Sequence, residues 1–213
     1  MFFIKFIFVK INRNIFMNYF DSKELLKPGN MISLYSRGAF PMSDEKGVIN
    51  WYMPEVRTII PLDNYNVPRS LRKFMEHSGF EYRYDENRVA VIKNCADRKE
   101  TWISSELIKA YKGLINNNYL HSVEVYRNNN LVGGLYGITY KGAFFGESMF
   151  SKVSQASKSA LVKLIEHLNK KGFVLLDVQF QTEHLKMFGT KEISFDEFQS
   201  LLIKSYNKNI SFI

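Results

Sequence analysis

The chain has 213 residues, 46% of them hydrophobic and 15% aromatic, which supplies a sizeable core and excludes a disordered segment. Lysine and arginine outnumber aspartate and glutamate by 29 to 21, and the formal charge of +8 favours a polyanionic partner such as nucleic acid without requiring one. The single cysteine, Cys95, excludes an intramolecular disulfide and a multi-cysteine metal site and fits a reducing cytoplasm.

The N-terminal stretch MFFIKFIFVKINRNIFMNYF is apolar but interrupted. Its longest wholly apolar run after Lys5 covers residues 6–9, too short for a signal peptide or a membrane span, and no small-residue cleavage site follows. Met17 offers an equally good start, so residues 1–16 read either as a dispensable extension of a soluble protein or as the product of an upstream start codon. From Asp21, a plausible helix N-cap, the chain passes a Pro28-Gly29 break, resumes a helix over residues 31–36 and ends in a Gly-Ala-Phe-Pro turn. VINWYMPEVRTIIPLD alternates aromatic and aliphatic residues between prolines, as short strands do; residues 17–65 form a small α+β lobe on this reading.

Residues 66–213 carry the larger domain. VPRSLRKFMEHSG is a helix with Leu71, Phe74 and Met75 on one face, and Arg69, Arg72 and Lys73 beside them; Ser78-Gly79 ends it. FEYRYDENR suggests a strand, RVAVIKNCADR fits either helix or strand, and the TWISSELIKAYKGLINNNYL segment is a helix with Leu107, Ile108, Tyr111, Leu114 and Ile115 inward. A meander follows, with turns at residues 128–130 and 140–142. The helix over residues 156–171 stacks Ala160, Leu161, Leu164, Ile165 and Leu168 on one stripe and stops at Gly172. FVLLDVQF is then a buried strand, and HLKMFG and SFDEFQSLLIKSY are the last helical pieces. The class is α+β, a mostly antiparallel sheet flanked by helices, with no internal repeat.

Two polar residues interrupt the buried strand. Asp177 and Gln179 alternate with apolar neighbours, so they project to one side about 7 Å apart. A carboxylate there costs several kcal/mol unless it is paired or serves a site. Either it binds a nearby lysine or backbone amide within the fold, or it faces a cleft. Glu147, beside Gly146 at a strand end, faces the same choice between a salt bridge to Lys152 or Lys158 and a functional role. Ser154, Ser157 and Lys158 at the next helix entrance cap that helix or present donors to a phosphate or terminal adenosine. The chain lacks G-x-S-x-G, G-x-x-x-x-G-K-[ST] and H-E-x-x-H, which leaves hydrolase, nucleotide triphosphatase and zinc-protease readings unsupported. GGLYG lacks dinucleotide-binding spacing, the four histidines are scattered, and Cys95 has no histidine motif beside it.

Four segments, YSRGAFPMSDEKGVINWYMPEVRTIIPLD, CADRKETWISSELIKAY, HSVEVYRNNNLVGGLYGITYKGAFFGESMFSKVSQASKSAL and LLDVQF, resemble the leucyl/phenylalanyl-tRNA–protein transferase family in order and with few gaps, over residues 21–193. The resemblance implies a GNAT-like acyltransferase domain behind a smaller N-terminal lobe. It implies transfer of Leu or Phe from Leu-tRNA or Phe-tRNA to acceptor proteins beginning with Arg or Lys, in the N-degron pathway. It also implies a cytoplasmic monomer with no membrane attachment, no metal and no cofactor.

Carried over, Glu147, Asp177 and Gln179 match the family's polar active-site positions and Trp51 and Trp102 its aromatic ones. Leu135, Phe144, Leu161, Leu164 and Leu176 would line the aminoacyl side-chain pocket, and Arg69, Arg72 and Lys73 would meet tRNA phosphates. Two other classes fit parts of the chain. A CoA-dependent GNAT N-acetyltransferase needs a glycine-bearing pyrophosphate turn that SKVSQASKSA lacks, and a non-catalytic RNA-binding module leaves the polar residues of the apolar cleft without a reason.

Overall fold

The computed structural model describes residues 23–213, so the readings made for Asp21 and for residues 1–16 lie outside the described residues. After a 3-10 turn at Glu24–Leu26, helix α1 spans Pro28–Tyr35. Pro28 starts this helix, because the first turn does not need its missing N–H. The Gly-Ala-Phe-Pro segment is not a turn. The chain reverses at Gly38, whose φ of +89° suits glycine, and Phe40–Ser43 is strand β1, paired antiparallel with β2 (Ile49–Tyr52).

The remaining elements are β3 (Val56–Ile59), α2 (Arg69–His77), β4 (Glu81–Tyr84), α3 (Arg88–Ala96), α4 (Ser105–Asn116), β5 (Leu120–Arg127), β6 (Asn130–Tyr140), β7 (Ala143–Ser151), α5 (Ala156–Lys171), β8 (Leu175–Gln179), α6 (Glu183–Lys186), β9 (Lys191–Ser194) and α7 (Phe195–Tyr206). The ambiguous RVAVIKNCADR is thus helical, capped by the Asn87 side chain on the Ala90 N–H. Helix α5 has the bounds its apolar stripe predicts, and Gly172 closes it with φ +83°. Ser194 and Glu197 form a reciprocal capping box that starts α7 directly behind β9, a strand the sequence pattern did not mark.

Seven strands form one sheet in the order β4-β5-β6-β7-β8-β3-β9, antiparallel throughout except for β7 and β8. Strand β3, assigned to the small lobe on sequence grounds, is hydrogen-bonded on both sides in this sheet. On one face α1, α3, α4 and α7 bury Met31, Val91, Leu107, Leu114, Phe198 and Leu202; on the other α2 and α5 bury Leu71, Leu161, Leu164 and Leu168. Such side chains contribute roughly 1.5–3 kcal/mol each when fully buried. Among the described residues no helix is long and apolar enough to cross a membrane.

The sheet is closely packed where β6 meets β7. Gly137 pairs with Gly146, and a Cβ on Gly137 would collide with the Phe144 ring and the Phe145 carbonyl. Because one of those neighbours is backbone, the site has no flexible end to yield. Gly137→Ala is therefore expected to destabilise the protein by about 2 kcal/mol or more, whereas Gly29→Ala in open space on α1 is neutral or stabilising by up to about 1 kcal/mol. Urea unfolding of the two variants against the parent protein measures both.

Candidate active site

The parallel pairing of β7 with β8 is short. It joins Ala143, Phe144 and Phe145 to Leu175, Leu176 and Asp177, after which both strands continue without a shared ladder. Gly146–Ser151 on one side and Val178–Gln179 on the other line a cavity of about 690 Å³ that opens where the strands part. Two bulges shape this opening. Tyr136 faces Ser148 and Gly137 faces Gly146, which leaves Glu147 as the extra residue of β7. Thr58 faces Gln179 and Ile59 faces Asp177, which leaves Val178 as the extra residue of β8. Both bulges re-aim side chains at the point where the pairing has ended.

One side of the cavity is apolar, with Leu135, Leu161, Leu164, Leu176, Leu185 and Phe188. The other carries Glu147, Gln179, Trp102, Arg98 and Ser148. Thus four of the five expected apolar lining residues and one of the two tryptophans meet there. Phe144 does not line it: its ring packs in the core 5.7 Å from that of Phe212. Trp51 is also withdrawn, 9% exposed, and edge-on to Tyr35 at 5.9 Å. Arg69, Arg72 and Lys73 lie on the exposed side of α2, outside the cavity lining.

Glu147 is buried and held by three donors. Tyr35 Oη donates to Oε1 at 2.9 Å, Tyr111 Oη to Oε2 at 2.8 Å, and Gln179 Nε2 to Oε1 at 3.2 Å. No lysine pairs with it among the described residues. Burial is the largest influence on its carboxyl and pushes the pKa up to about 7; the two tyrosines oppose that shift, and the charge of Asp177 adds to it. Tyr111 comes from α4 and Tyr35 from the end of α1, so two helices on the same face fix one carboxylate.

Asp177 is fully buried and does not line the cavity. Its carboxylate forms an ion pair with Arg57 of β3, through Nη2 to Oδ2 and through Nε to Oδ1 at 3.3 Å. Arg57 is itself without solvent exposure; its Nη1 donates to the Gly38 carbonyl at 2.5 Å, and its guanidinium lies over the rings of Phe198 at 4.4 Å and Phe40 at 5.0 Å. Asp177 Oδ1 also accepts the Gln179 backbone N–H at 2.9 Å. That contact matters because Gln179 has φ +64°, a left-handed conformation that a side chain adopts only when its surroundings hold it. The result is an amide whose nitrogen is committed to Glu147 and whose Oε1 receives no donor among the described residues.

Sequence reasoning found Glu147 and Gln179 but missed Tyr35, Tyr111, Arg57 and Arg98. Only Arg57 left a signal, a lone cation in the apolar run VRTII that mirrors the lone Asp177 in LLDVQF. Cys95 is buried with its thiol pushed up to about 12 by desolvation, an inert core group.

A buried carboxyl–amide pair lies in a cavity that is apolar on one side and polar on the other, a setting of the kind a group-transfer enzyme uses. A family model described as leucyl/phenylalanyl-tRNA protein transferase matches residues 59–203, and one described as the N-terminal domain of that transferase matches residues 24–55. The chain belongs to the leucyl/phenylalanyl-tRNA–protein transferase family. It is 44% identical over 181 residues to the leucyl/phenylalanyl-tRNA–protein transferase of Salinibacter ruber, covering 84% of this chain and 80% of that one. It is 45% identical over 188 residues to that of Herpetosiphon aurantiacus, covering 88% and 98%. Among solved structures it is similar to an aminoglycoside acetyltransferase from an uncultured soil metagenomic sample, with a TM-score of 0.40 and 15% identity over 50% of this chain and 80% of that one.

Two outcomes follow from the buried charges. Arg57→Met or Asp177→Asn alone leaves one partner unmatched and is expected to cost about 3–5 kcal/mol in urea unfolding, while the double change Arg57→Met with Asp177→Leu recovers much of it. Glu147 binds its proton more tightly folded than unfolded, so its contribution to stability is full below about pH 4.5 and is lost as pH rises through about 7. Over that window stability falls by about 3 kcal/mol at most, and Glu147→Gln is expected to flatten that part of the stability–pH curve.

Proposed function

We propose that this enzyme transfers leucine or phenylalanine from aminoacyl-tRNA to the α-amine of a protein that begins with arginine or lysine, acting as a cytoplasmic monomer that marks its acceptors for degradation. The observation that carries this reading is the Gln179 amide: its nitrogen is tied to Glu147 at 3.2 Å, leaving a carbonyl oxygen to accept an N–H beside an apolar pocket. An uncharged side chain of leucine size suits Leu135, Leu161, Leu164 and Leu176, whereas a charged one would lose its hydration without a partner.

Aminoacyl-tRNA is an activated ester, so the chemistry asks little of a base. An α-amine has a pKa of about 7.7–8.0, so near neutral pH most of it is ammonium, which gives up a proton to solvent to supply the neutral fraction that attacks. Its lone pair attacks the ester carbonyl, forming the C–N bond; collapse of the tetrahedral intermediate breaks the bond to the ribose oxygen, which leaves with a proton from the amine. Gln179 Oε1 accepts a hydrogen bond from the attacking amine and aligns its lone pair with the carbonyl. Glu147 holds the Gln179 amide in that sense and offers negative charge to an ammonium group entering the cavity. Asp177 acts as a positioning residue: neutralised by Arg57 and set back from the cavity, it pins the left-handed backbone that aims Gln179. Arg69, Arg72 and Lys73 take phosphates of the acceptor stem from the exposed side of α2.

The CoA-dependent alternative is disfavoured by the entrance of α5. The Ala156 N–H donates to the Val153 carbonyl and the Ser157 N–H to Ser151 Oγ, so two first-turn amides are already used, and the segment SKVSQASKSA has no glycine to let a pyrophosphate approach the backbone closely.

With labelled leucyl-tRNA and an arginine-starting peptide, Gln179→Ala is expected to lower kcat about 100-fold with little change in KM for the tRNA. Near-parental transfer by Gln179→Ala combined with Asp177→Asn would overturn the assignment.

A further inference from the structure

Arg98 stands at the polar side of the cavity, immediately after helix α3, and is held in an unusual way for an exposed arginine. Its Nε donates to the Cys95 carbonyl at 2.8 Å and its Nη2 to Ser148 Oγ at 2.5 Å. Those two donors form one edge of the guanidinium. Both acceptors are neutral, and among the described residues no carboxylate lies within ion-pair distance of Arg98. The side chain is thus oriented by groups that leave its charge uncompensated. Its other edge, Nη1 with the second proton of Nη2, retains the paired geometry that matches two oxygens of a phosphate.

The position matches the orientation. Ser148 directly follows Glu147 on β7, so Arg98 is fixed one residue from the carboxyl that holds Gln179. From Arg98 a side groove of about 280 Å³ runs past Asn94, Asp97, Phe150 and Lys152, sharing Arg98, Met149, Phe150 and Ser151 with the main cavity. Lys152 Nζ sits 5.9 Å from the Phe150 ring centroid along this path. Asp97 is the one acid in the groove lining, so a polyanion entering here meets Arg98 and Lys152 against a single carboxylate.

Building on the transfer reaction proposed above, we infer that Arg98 binds the phosphate 5′ to the terminal aminoacylated nucleoside and that the single-stranded 3′ end leaves the cavity through the Lys152 groove. Arg98 thereby sets the distance between a fixed phosphate and the ester, which places the carbonyl carbon opposite Gln179. A nucleoside ester lacking that phosphate would still seat its side chain in the leucine pocket but would lose this anchor.

The test uses the full chain and two stable analogues, 3′-leucylamido-3′-deoxyadenosine with and without a 5′-phosphate, with dissociation constants measured by calorimetry. The parent protein is expected to bind the phosphorylated analogue about 10- to 100-fold more tightly, the worth of a charge-assisted pair. Arg98→Gln is expected to bind both forms alike, at the affinity the parent shows for the unphosphorylated one. Arg98→Lys, which keeps the charge but not the fork, falls between. A phosphate preference that survives in Arg98→Gln, or an equal loss for both analogues, overturns the inference; in the second case Arg98 serves only to hold β7. If neither analogue binds the parent protein, the transfer reading fails and this inference with it. In leucyl-tRNA binding, Arg98→Gln is expected to reduce the slope of log affinity against log salt by about 0.7, the single-strand value for one contact.

Discussion

The Arg57–Asp177 pair sits where neither partner touches water, and it ties together segments far apart in the chain. Asp177 lies on β8, Arg57 on β3, the Gly38 carbonyl on the turn before β1, and the Phe198 ring on α7. A buried ion pair is a poor source of stability, since the cost of desolvating two charges offsets their attraction. What it supplies instead is position. With one Asp177 oxygen given to the Gln179 N–H, the end of β8 is held in a left-handed turn that the chain would not otherwise keep. Replacing the pair by apolar residues could restore stability but would leave that N–H without its acceptor.

Above this anchor, the cavity arises from strand geometry. Parallel strands must share an evenly spaced ladder, and β7 and β8 share only three residue pairs before bulges at Glu147 and Val178 break the register with their outer neighbours. The bulge in β7 also reverses the side-chain alternation, so that Glu147 and Ser148 both serve the face where α1, α3 and α4 pack. Glu147 meets Tyr35 and Tyr111, and Ser148 meets Arg98. A regular strand would have sent Ser148 to the opposite face.

Much of this was legible in the sequence where a pattern repeats. Helix α5 announces itself by its apolar stripe and its terminal glycine, and the β5–β6–β7 meander by alternation and by Asn128-Asn129, both at positive φ. The polar residues Glu147, Asp177 and Gln179 stood out because each interrupts an apolar run. Their partners did not. Tyr35 and Tyr111 look like ordinary core aromatics on amphipathic helices, and only tertiary packing turns their hydroxyls onto one carboxylate. The exchange of β3 into the large sheet was hidden for a similar reason: a four-residue strand carries no signal of which sheet it joins. Phe144 and Trp51 were placed in the pocket by resemblance, but the alternation of β7 turns Phe144 into the core, and Tyr35 stands against Trp51.

The two buried acids show how one environment yields two kinds of carboxyl. Both lie on neighbouring strands at the end of a shared ladder, linked through the backbone and the side chain of a single glutamine. Asp177 has a guanidinium against it and belongs to the framework. Glu147 has only neutral donors, so burial prevails and its pKa approaches neutrality. Each supports the charge balance of the other, because an ionised Glu147 beside an unpaired Asp177 would place two like charges in one dry region. Arg57 removes that conflict by cancelling Asp177. Glu147 keeps its raised pKa, while the tyrosines hold its oxygens, and through them Gln179, in place.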